Sequence, residues 1–96
     1  MKRQVYSLYD EVSEYYLSPL FLHNDAEATR MFLDILLDDK TMPGRHPKDY
    51  KLYQIGTYED AQGMLNPIED RINRLITTGS LLLNEYKANQ DLQKKE

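Results

Sequence analysis

The sequence predicts a two-layer α+β domain in which one main amphipathic helix packs on an antiparallel sheet, in the order β-β-α-β-β-α. Three segments support this fold class. Residues 24–37 place apolar side chains three, four, seven and eight positions apart, which is the spacing of one helix face. Residues 50–58 are rich in aromatic and β-branched side chains, as strands are. Residues 4–22 contain two segments with tyrosine and leucine on either side of a polar turn, which is typical of a hairpin.

The first hairpin is predicted from two strands, residues 4–9 and residues 15–22, joined by a polar turn at residues 10–14. Pro19 lies inside the second strand. Because proline has no backbone N–H to donate, this strand lies at a sheet edge or bends at Pro19. The hairpin leads directly into the helix.

The predicted helix begins after Asn24, a favourable N-cap, and Glu27 completes a capping-box-like pair with it. Asp38 and Asp39 are unfavourable at the C-terminal end of a helix dipole, so we expect the helix to stop before them. A single helix of this length is marginal in water, so its apolar stripe needs the sheet to pack against. The stripe consists of Ala28, Met31, Phe32, Ile35 and Leu36.

The segment after the helix, residues 40–48, is predicted to be a loop, with Pro43 and Gly44 as its turn signal. Residues 50–58 then form a strand, in which Gly56 marks a bulge or a close backbone approach. Strand alternation assigns side chains to two opposite faces. One face carries Tyr50, Leu52 and Gln54, and the other carries Lys51, Tyr53, Ile55 and Thr57.

A turn at residues 60–63, with Gly63 in the left-handed conformation, predicts a short return strand that starts at Met64. Asn66 and Pro67 then predict a second helix, with asparagine at the cap and proline at the first helical position. We expect this helix to end at Gly79. Its apolar stripe consists of Ile68, Ile72, Leu75 and Ile76.

The chain of 96 residues is long enough for one modest core. Residues 1–79 are predicted to form a single α+β domain, and residues 80–96 a C-terminal helix or a partly disordered tail that frays beyond Asn89. Residues 81–83 and Tyr86 either cover part of the core or pair with a second copy of the chain.

The composition excludes several kinds of site. The chain has no cysteine, so disulfides, thiolate zinc sites and cysteine nucleophiles are excluded. No apolar run approaches the roughly 20 residues of a membrane span, and the first residues lack a hydrophobic signal core, so we expect a cytoplasmic protein without membrane contact. His23 and His46 have no second histidine at ligand spacing, and no catalytic motif is present. We therefore predict no metal, no cofactor and no enzymatic activity.

The best binding candidate is a basic loop that leads into an aromatic strand. The net charge is -4, which opposes general binding to nucleic acid, but residues 40–51 carry +3 and the rest of the chain -7. Tyrosines on an exposed sheet face stack on unpaired bases, and seven of the eight tyrosines lie in predicted strands. The alternative is that these tyrosines are half-buried sheet residues or line a dimer interface. The predicted nucleic-acid-binding residues are Lys40, Arg45, His46, Lys48, Tyr50, Lys51 and Tyr53.

Four segments, in this order and spacing, carry a family resemblance: VYSLYDE at residues 5–11, EATRMF at 27–32, HPKDYKLYQIGTYED at 46–60 and GMLNPIE at 63–69. They resemble the small nonstructural protein of gokushoviruses, the tailless single-stranded DNA phages of the family Microviridae. The likeness covers about residues 4–76, and the residues from 80 onward have no counterpart in it.

The resemblance implies a non-enzymatic viral accessory protein that serves DNA replication or genome packaging in the host bacterial cytoplasm. Single-stranded DNA, bound weakly, and the phage replication initiator or procapsid proteins would then be its partners. A second hypothesis is a pure protein-interaction adaptor, acting as a homodimer on phage or host replication proteins without touching DNA. A third is a DNA mimic, although the sixteen acidic residues are spread over turns and helix ends.

Overall fold

The computed structural model describes residues 1–94, with the side chain of Lys94 excepted, and these form one antiparallel sheet of six strands with helices on one face. The predicted α+β class is therefore confirmed. The strands are β1 (Lys2–Asp10), β2 (Tyr15–Tyr16), β3 (Leu20–Leu22), β4 (Tyr50–Glu59), β5 (Met64–Pro67) and β6 (Arg74–Thr78). The helices are α1 (Asp25–Leu36), α2 (Met42–Arg45) and α3 (Gly79–Lys94), and a 3-10 turn (Pro47–Asp49) precedes β4.

The long strands β1 and β4 form the centre of the sheet and pair along their whole length, from Lys2 with Glu59 to Asp10 with Tyr50. β2 and β3 pair with the outer side of β1, and β5 and β6 pair with the outer side of β4. The predicted second strand is thus divided into β2 and β3 by the segment that contains Pro19, as its missing N–H led us to expect.

The core lies between one face of the sheet and the helices α1 and α3. Ala28, Phe32 and Leu36 of the predicted stripe are buried, and the Asn24 side chain accepts a hydrogen bond from the Glu27 backbone N–H at 2.9 Å. α1 ends at Leu36, before the two aspartates, as predicted. The core cluster consists of Tyr6, Leu8, Ala28, Phe32, Leu36, Tyr50, Leu52 and Leu82.

The other face of the sheet is called the open face here, because the core and its helices lie on the opposite side. The alternation predicted for β4 is confirmed: Tyr50, Leu52 and Gln54 are buried, and the side chains between them are half-exposed. The register shifts opposite Val5 and Tyr6, and a Cβ at Gly56 would overlap the Asn66 carbonyl oxygen. Gly56 therefore marks both an irregularity and a close backbone approach, as predicted.

The second helix predicted after Asn66 is wrong. Asn66 and Pro67 instead extend β5, and the following residues turn and return as β6. β5 pairs only with residues 56–59 of β4, so the remaining edge of β4, residues 51–54, is free to accept β6. Arg71 adopts a φ of +61°, which interrupts any helix there, and the β-branched residues of β6 favour a strand.

The loop predicted for residues 40–48 is also partly wrong, because it contains α2 and the start of the 3-10 turn. Thr41 caps α2 by accepting a hydrogen bond from the Gly44 backbone N–H at 3.0 Å, and Pro43 lies in the first turn, where its missing N–H has no cost. Gly63, by contrast, has the predicted left-handed φ, at +64°.

The C-terminal segment forms α3, which continues past Asn89 to Lys94, and Leu82 contributes to the core. α3 begins against the 3-10 turn so closely that a Cβ at Gly79 would overlap the Pro47 carbonyl oxygen. Residues 95–96, the end of the predicted tail, lie outside the described residues.

Candidate nucleic-acid interface

The seven residues predicted to bind nucleic acid do not share one surface. Tyr50 lies in the core with 3% of its surface exposed, and its hydroxyl donates a hydrogen bond to Asp10 Oδ2 at 3.1 Å. Burial, followed by the hydrogen bond to Asp10, raises the pKa of Tyr50. Tyr50 is therefore unavailable for stacking on a base, and its inclusion in the predicted set is corrected.

Lys40 is exposed in the turn between α1 and α2, where its backbone N–H donates to Asp38 Oδ1 at 2.9 Å. Its side chain does not line the cavity formed by the residues that follow it. The remaining five predicted residues divide into two groups, one on each side of the point where β4 begins.

Arg45, His46 and Lys48 form the first group, on one wall of a groove of about 480 Å³. The other wall is a face of α3, and Lys87 adds a further cation there. This basic groove is lined by Arg45, His46, Pro47, Lys48, Ser80, Leu83, Asn84 and Lys87. No carboxylate is among these residues, so the groove is a positively charged surface on a chain whose net charge is -4.

The cations of the basic groove are not neutralised by ion pairs in the described part of the chain. No Asp or Glu oxygen of residues 1–94 lies within 4.0 Å of the charged nitrogens of Arg45, Lys48 or Lys87. Ser80 and Asn84 add side-chain donors to the α3 wall. Such a surface suits an anion with several oxygens, such as a phosphate group.

The backbone of the first wall is held by local hydrogen bonds. His46 N–H donates to the Met42 carbonyl at 2.9 Å, and Asp49 N–H donates to the His46 carbonyl at 3.0 Å. The contact of Gly79 with Pro47 then fixes α3 against this wall. The sequence does contain a signal for the second wall, since Ser80, Leu83, Asn84 and Lys87 share one face of a helix. That signal depends on α3 being a helix, which residue patterns left open.

Lys51 and Tyr53 form the second group, on the open face. Tyr53 packs against two tyrosines from the first hairpin, with ring centroids 6.3 Å from Tyr9 and 5.7 Å from Tyr16. The rings of Tyr9 and Tyr16 are 4.8 Å apart. Tyr9, Tyr16 and Tyr53 are called the tyrosine cluster here. Residue patterns do not group these three tyrosines, because only the register of β1 with β2 and β4 brings them together.

Lys51 lies beside the tyrosine cluster and forms an ion pair with Glu11. The hydrogen bond that the Lys51 ammonium donates to Glu11, followed by the Glu11 charge, raises the pKa of Lys51. Asn73 supports the cluster from another side by donating to the Tyr16 hydroxyl at 3.1 Å. The open face is therefore aromatic, with one lysine whose charge is balanced within the chain.

The basic groove and the tyrosine cluster lie at the same end of the sheet, the groove in the helix layer and the cluster on the open face. Lys51 pairs with Thr78, the last residue of β6, and Ser80 of the groove follows two residues later. Lys48 of the groove lies in the 3-10 turn, three residues before Lys51 of β4. The two surfaces therefore belong to the segments that enter β4 and leave β6 at this end of the sheet.

A polar network joins the N-terminus of α1 to three strands. The Tyr6 hydroxyl donates to Asp25 Oδ1 at 2.7 Å, and Arg74 Nη2 donates to both Asp25 oxygens at 2.8 Å. Arg74 also donates to Gln54 Oε1, and Gln54 donates to Gln4. These groups are mutually hydrogen-bonded, so we assign the network to fold stability.

The described residues show neither a cluster of metal-ligating side chains nor a helix that could cross a membrane. Its His, Asp and Glu residues form no group of three or more that would hold a metal ion. None of the helices within residues 1–94 has both the length and the hydropathy that crossing a membrane requires.

The fold and these surfaces define a small α+β domain with a basic groove and an aromatic sheet face. The family described as Phage ORF5 protein has a model that matches residues 3–81, and the chain belongs to this family. It is therefore a phage protein, and membership indicates an accessory role. No curated protein and no solved structure matches the chain. The family match ends at Leu81, so Lys87 lies beyond it.

Proposed function

We propose that this phage protein is a non-enzymatic accessory factor in the synthesis or packaging of a single-stranded DNA genome in the host cytoplasm. It binds single-stranded DNA weakly, through the phosphate groups. The observation that carries this proposal is the basic groove, where Arg45, Lys48 and Lys87 converge without an ion-pair partner in the described residues. The resemblance to the gokushovirus nonstructural protein supports single-stranded DNA as the polyanion.

The groove residues supply the chemistry of a phosphate contact. Arg45 offers a planar fork of donors, and Lys48 and Lys87 act as point charges. Ser80 and Asn84 add neutral donors. Because phosphate contacts position a strand without reading its bases, this groove binds without sequence preference.

The overall charge explains why binding is weak. A net charge of -4 repels the DNA backbone as a whole, so only the local field of the groove attracts it. A protein of this kind does not coat a genome. We propose instead that it brings a short contact with DNA to a phage protein complex, with the replication initiator or the procapsid as the partner class.

The proposal predicts a modest dependence of DNA affinity on salt. Each phosphate neutralised on a single strand contributes about -0.7 to the slope of log K against log salt, so three cations predict a slope near -2. The measurement is fluorescence anisotropy of a labelled oligothymidylate of about 15 nucleotides across a salt series. Replacing Arg45, Lys48 and Lys87 together with alanine should flatten the slope and abolish binding at moderate salt.

The matched control replaces Lys2, Arg3 and Arg30 with alanine. These three side chains are exposed, do not line the groove, and change the net charge by the same amount. The control should keep the wild-type slope. Equal losses in both triple variants would show a non-specific effect of charge, and an unchanged slope in the groove variant would refute the groove as the binding surface.

A homodimeric adaptor is the second candidate function, and one observation favours it. The open face carries an apolar groove of about 270 Å³ beside the aromatic pair of Phe21 and Tyr58, whose rings are 5.4 Å apart. Leu65, which also lines this groove, is 65% exposed. Sedimentation equilibrium measures the oligomeric state that this function requires. A wild-type dimer that the Leu65→Ser substitution dissociates supports the adaptor. A wild-type monomer at all concentrations refutes this surface as a dimer interface.

A further inference from the structure

We propose that the tyrosine cluster is a binding platform for unpaired nucleobases, on the same strand whose phosphates occupy the basic groove. This inference rests on the proposed function and specifies its ligand. The ligand is an unpaired base, which is available for stacking on a tyrosine ring in single-stranded DNA but not in duplex DNA. The platform consists of Tyr9, Tyr16 and Tyr53, with Lys51 beside it.

The position of the cluster supports base stacking. Tyr9 pairs directly with Tyr16 on one side and with Lys51 on the other, so aromatic rings and a cation stand next to each other across three strands. The rings lie on the open face, opposite the helices, and Tyr16 is 39% exposed. Aromatic side chains on a sheet bind single strands because every base has a face that stacks, whatever its sequence.

Charge complementarity favours nucleic acid over another apolar surface as the occupant. The cluster lies at the same end of the sheet as the basic groove, although on the opposite face, since Lys51 pairs with Thr78 and the groove residue Ser80 follows. Bases on the cluster would place their phosphates beside Lys51 and toward Lys48. The apolar groove at Phe21 and Leu65, at the other end of the same face, has no cation among its lining residues.

The Glu11 carboxylate competes with a DNA phosphate for the Lys51 ammonium beside the tyrosine cluster. This carboxylate pairs with the Lys51 ammonium, and the Glu11 backbone N–H is fixed by a hydrogen bond of 2.9 Å to the Asp49 carbonyl. A DNA phosphate must replace this carboxylate to reach Lys51. The Glu11→Gln variant removes the competing charge and should therefore bind single-stranded DNA more tightly, with a salt slope steeper by up to about 0.7.

The first test is the affinity of the labelled oligothymidylate for a Tyr16→Leu/Tyr53→Leu double variant, which keeps apolar bulk but loses two aromatic faces. We expect affinity to fall on the order of tenfold for each tyrosine that stacks a base, while the salt slope stays near -2. A Tyr16→Phe/Tyr53→Phe variant keeps the rings and should bind as the wild type does. Unchanged affinity in the leucine variant would overturn the platform.

The matched control is Phe21→Leu/Tyr58→Leu, which removes the other aromatic pair of the same face, away from the basic groove. It should leave DNA affinity unchanged. Equal losses in both leucine variants would show that the face as a whole supports folding and would overturn a local platform. Circular dichroism and thermal unfolding of each variant separate these cases.

A second measurement uses the wild-type chain, so it does not depend on the variants folding. An oligonucleotide that carries 5-iododeoxyuridine is photocrosslinked to the protein, and the adducts are mapped by mass spectrometry. Adducts at Tyr9, Tyr16 or Tyr53 support the platform. Adducts confined to the other tyrosines, or a protein dimer whose buried face excludes the oligonucleotide, overturn it.

The two proposals fail in different ways. If the groove variant keeps its affinity and the tyrosine variant loses it, the groove is wrong as the phosphate site, and base stacking on the tyrosine cluster stands without it. If the salt slope depends on the groove but the tyrosines make no difference, the platform is wrong and the proposed function stands. Absence of any binding by the wild type at low salt overturns both.

Discussion

Asp25 connects three elements through one carboxylate, because it accepts hydrogen bonds from Tyr6 of β1 and Arg74 of β6 at the start of α1. Burial tends to raise the pKa of Asp25, but the hydrogen bonds from Tyr6 and Arg74 outweigh it, so the pKa lies below its ordinary value. The same hydrogen bond raises the pKa of its donor, Tyr6, while it lowers the pKa of Asp25. Burial, followed by the hydrogen bond to Asp25, raises the pKa of Tyr6 well above its ordinary value.

These shifts predict a loss of stability at alkaline pH. Tyr6 and Tyr50 both have raised pKa values in the fold, against ordinary values of 10.0. Their protonated forms are favoured in the native state, so their contribution is complete below about pH 10 and is lost as the pH rises further. Urea unfolding at a series of pH values should show a constant free energy from pH 7 to about pH 9 and a decline above about pH 10.

The control for this pH dependence is a pair of single variants, Tyr6→Phe and Tyr50→Phe. Each should be less stable than the wild type at neutral pH, because a hydrogen bond to a carboxylate is lost, but should show a shallower alkaline decline. If both variants and the wild type lose stability equally at alkaline pH, the loss comes from titratable groups other than Tyr6 and Tyr50.

At the scale of elements, the packing of α3 on the 3-10 turn determines the shape of the basic groove. Ordinarily alanine favours a helix over glycine by about 1 kcal/mol. At position 79 the opposite result is expected, because a Cβ there would overlap the Pro47 carbonyl oxygen. The first turn of α3 would have to move away from the turn, which also separates Lys87 from Arg45 and Lys48.

Gly79→Ala should therefore lower the free energy of unfolding by about 1 to 3 kcal/mol. It should also lower the affinity for DNA. Thermal unfolding and the anisotropy assay measure the two effects. Ser80→Ala is the control for stability, since Ser80 is exposed in the same helical turn. A Gly79→Ala protein as stable as the wild type would show that the contact with the turn is loose.

The elements also show where residue patterns were sufficient. The helix α1 was predicted with its cap and its end, because Asn24, the apolar stripe and the two aspartates are all local signals. The strand β6 was not predicted, because Asn66 and Pro67 have the residue pattern of a helix start. In the fold, pairing with the free edge of β4 outweighs that local preference. Local preference is worth less than a row of backbone hydrogen bonds when a neighbouring strand is available.

The candidate site was predicted only in part, because residue patterns report local signals and not contacts between distant parts of the chain. Arg45, His46 and Lys48 are close in sequence and do line one groove. Lys87 was not assigned to it, and Tyr9 and Tyr16 were not joined to Tyr53, because these partners are distant in sequence and depend on strand register and helix packing. Tyr50 was included for its position beside the basic residues, although its face of the strand points into the core.

At the scale of the whole molecule, α3 is part of the folding unit. Leu82 is 6% exposed and packs with Phe32, Leu36 and Leu52, whereas its neighbour Leu81 is 52% exposed. The core therefore extends beyond residue 79, where residue patterns placed the end of the domain. We therefore expect α3 to unfold together with the sheet.

Leu82→Ala should lower the free energy of unfolding by about 2 to 4 kcal/mol, because it removes buried methyl groups and leaves a cavity. Leu81→Ala, one residue away on the same helix, should change it by less than about 0.5 kcal/mol. Both proteins should unfold in one urea transition that fluorescence and circular dichroism report alike. Similar small effects of the two substitutions would show that α3 unfolds separately from the sheet.

The division of the outer strand at Pro19 has a consequence for the protein at high concentration. β2 has two residues and β3 has three, so the edge of the sheet beyond β1 offers no long row of unpaired backbone groups. Long, regular edges let sheets of separate molecules join and grow into aggregates. This interrupted edge disfavours such growth when copies of the chain are crowded together, and leaves association along this edge to side chains.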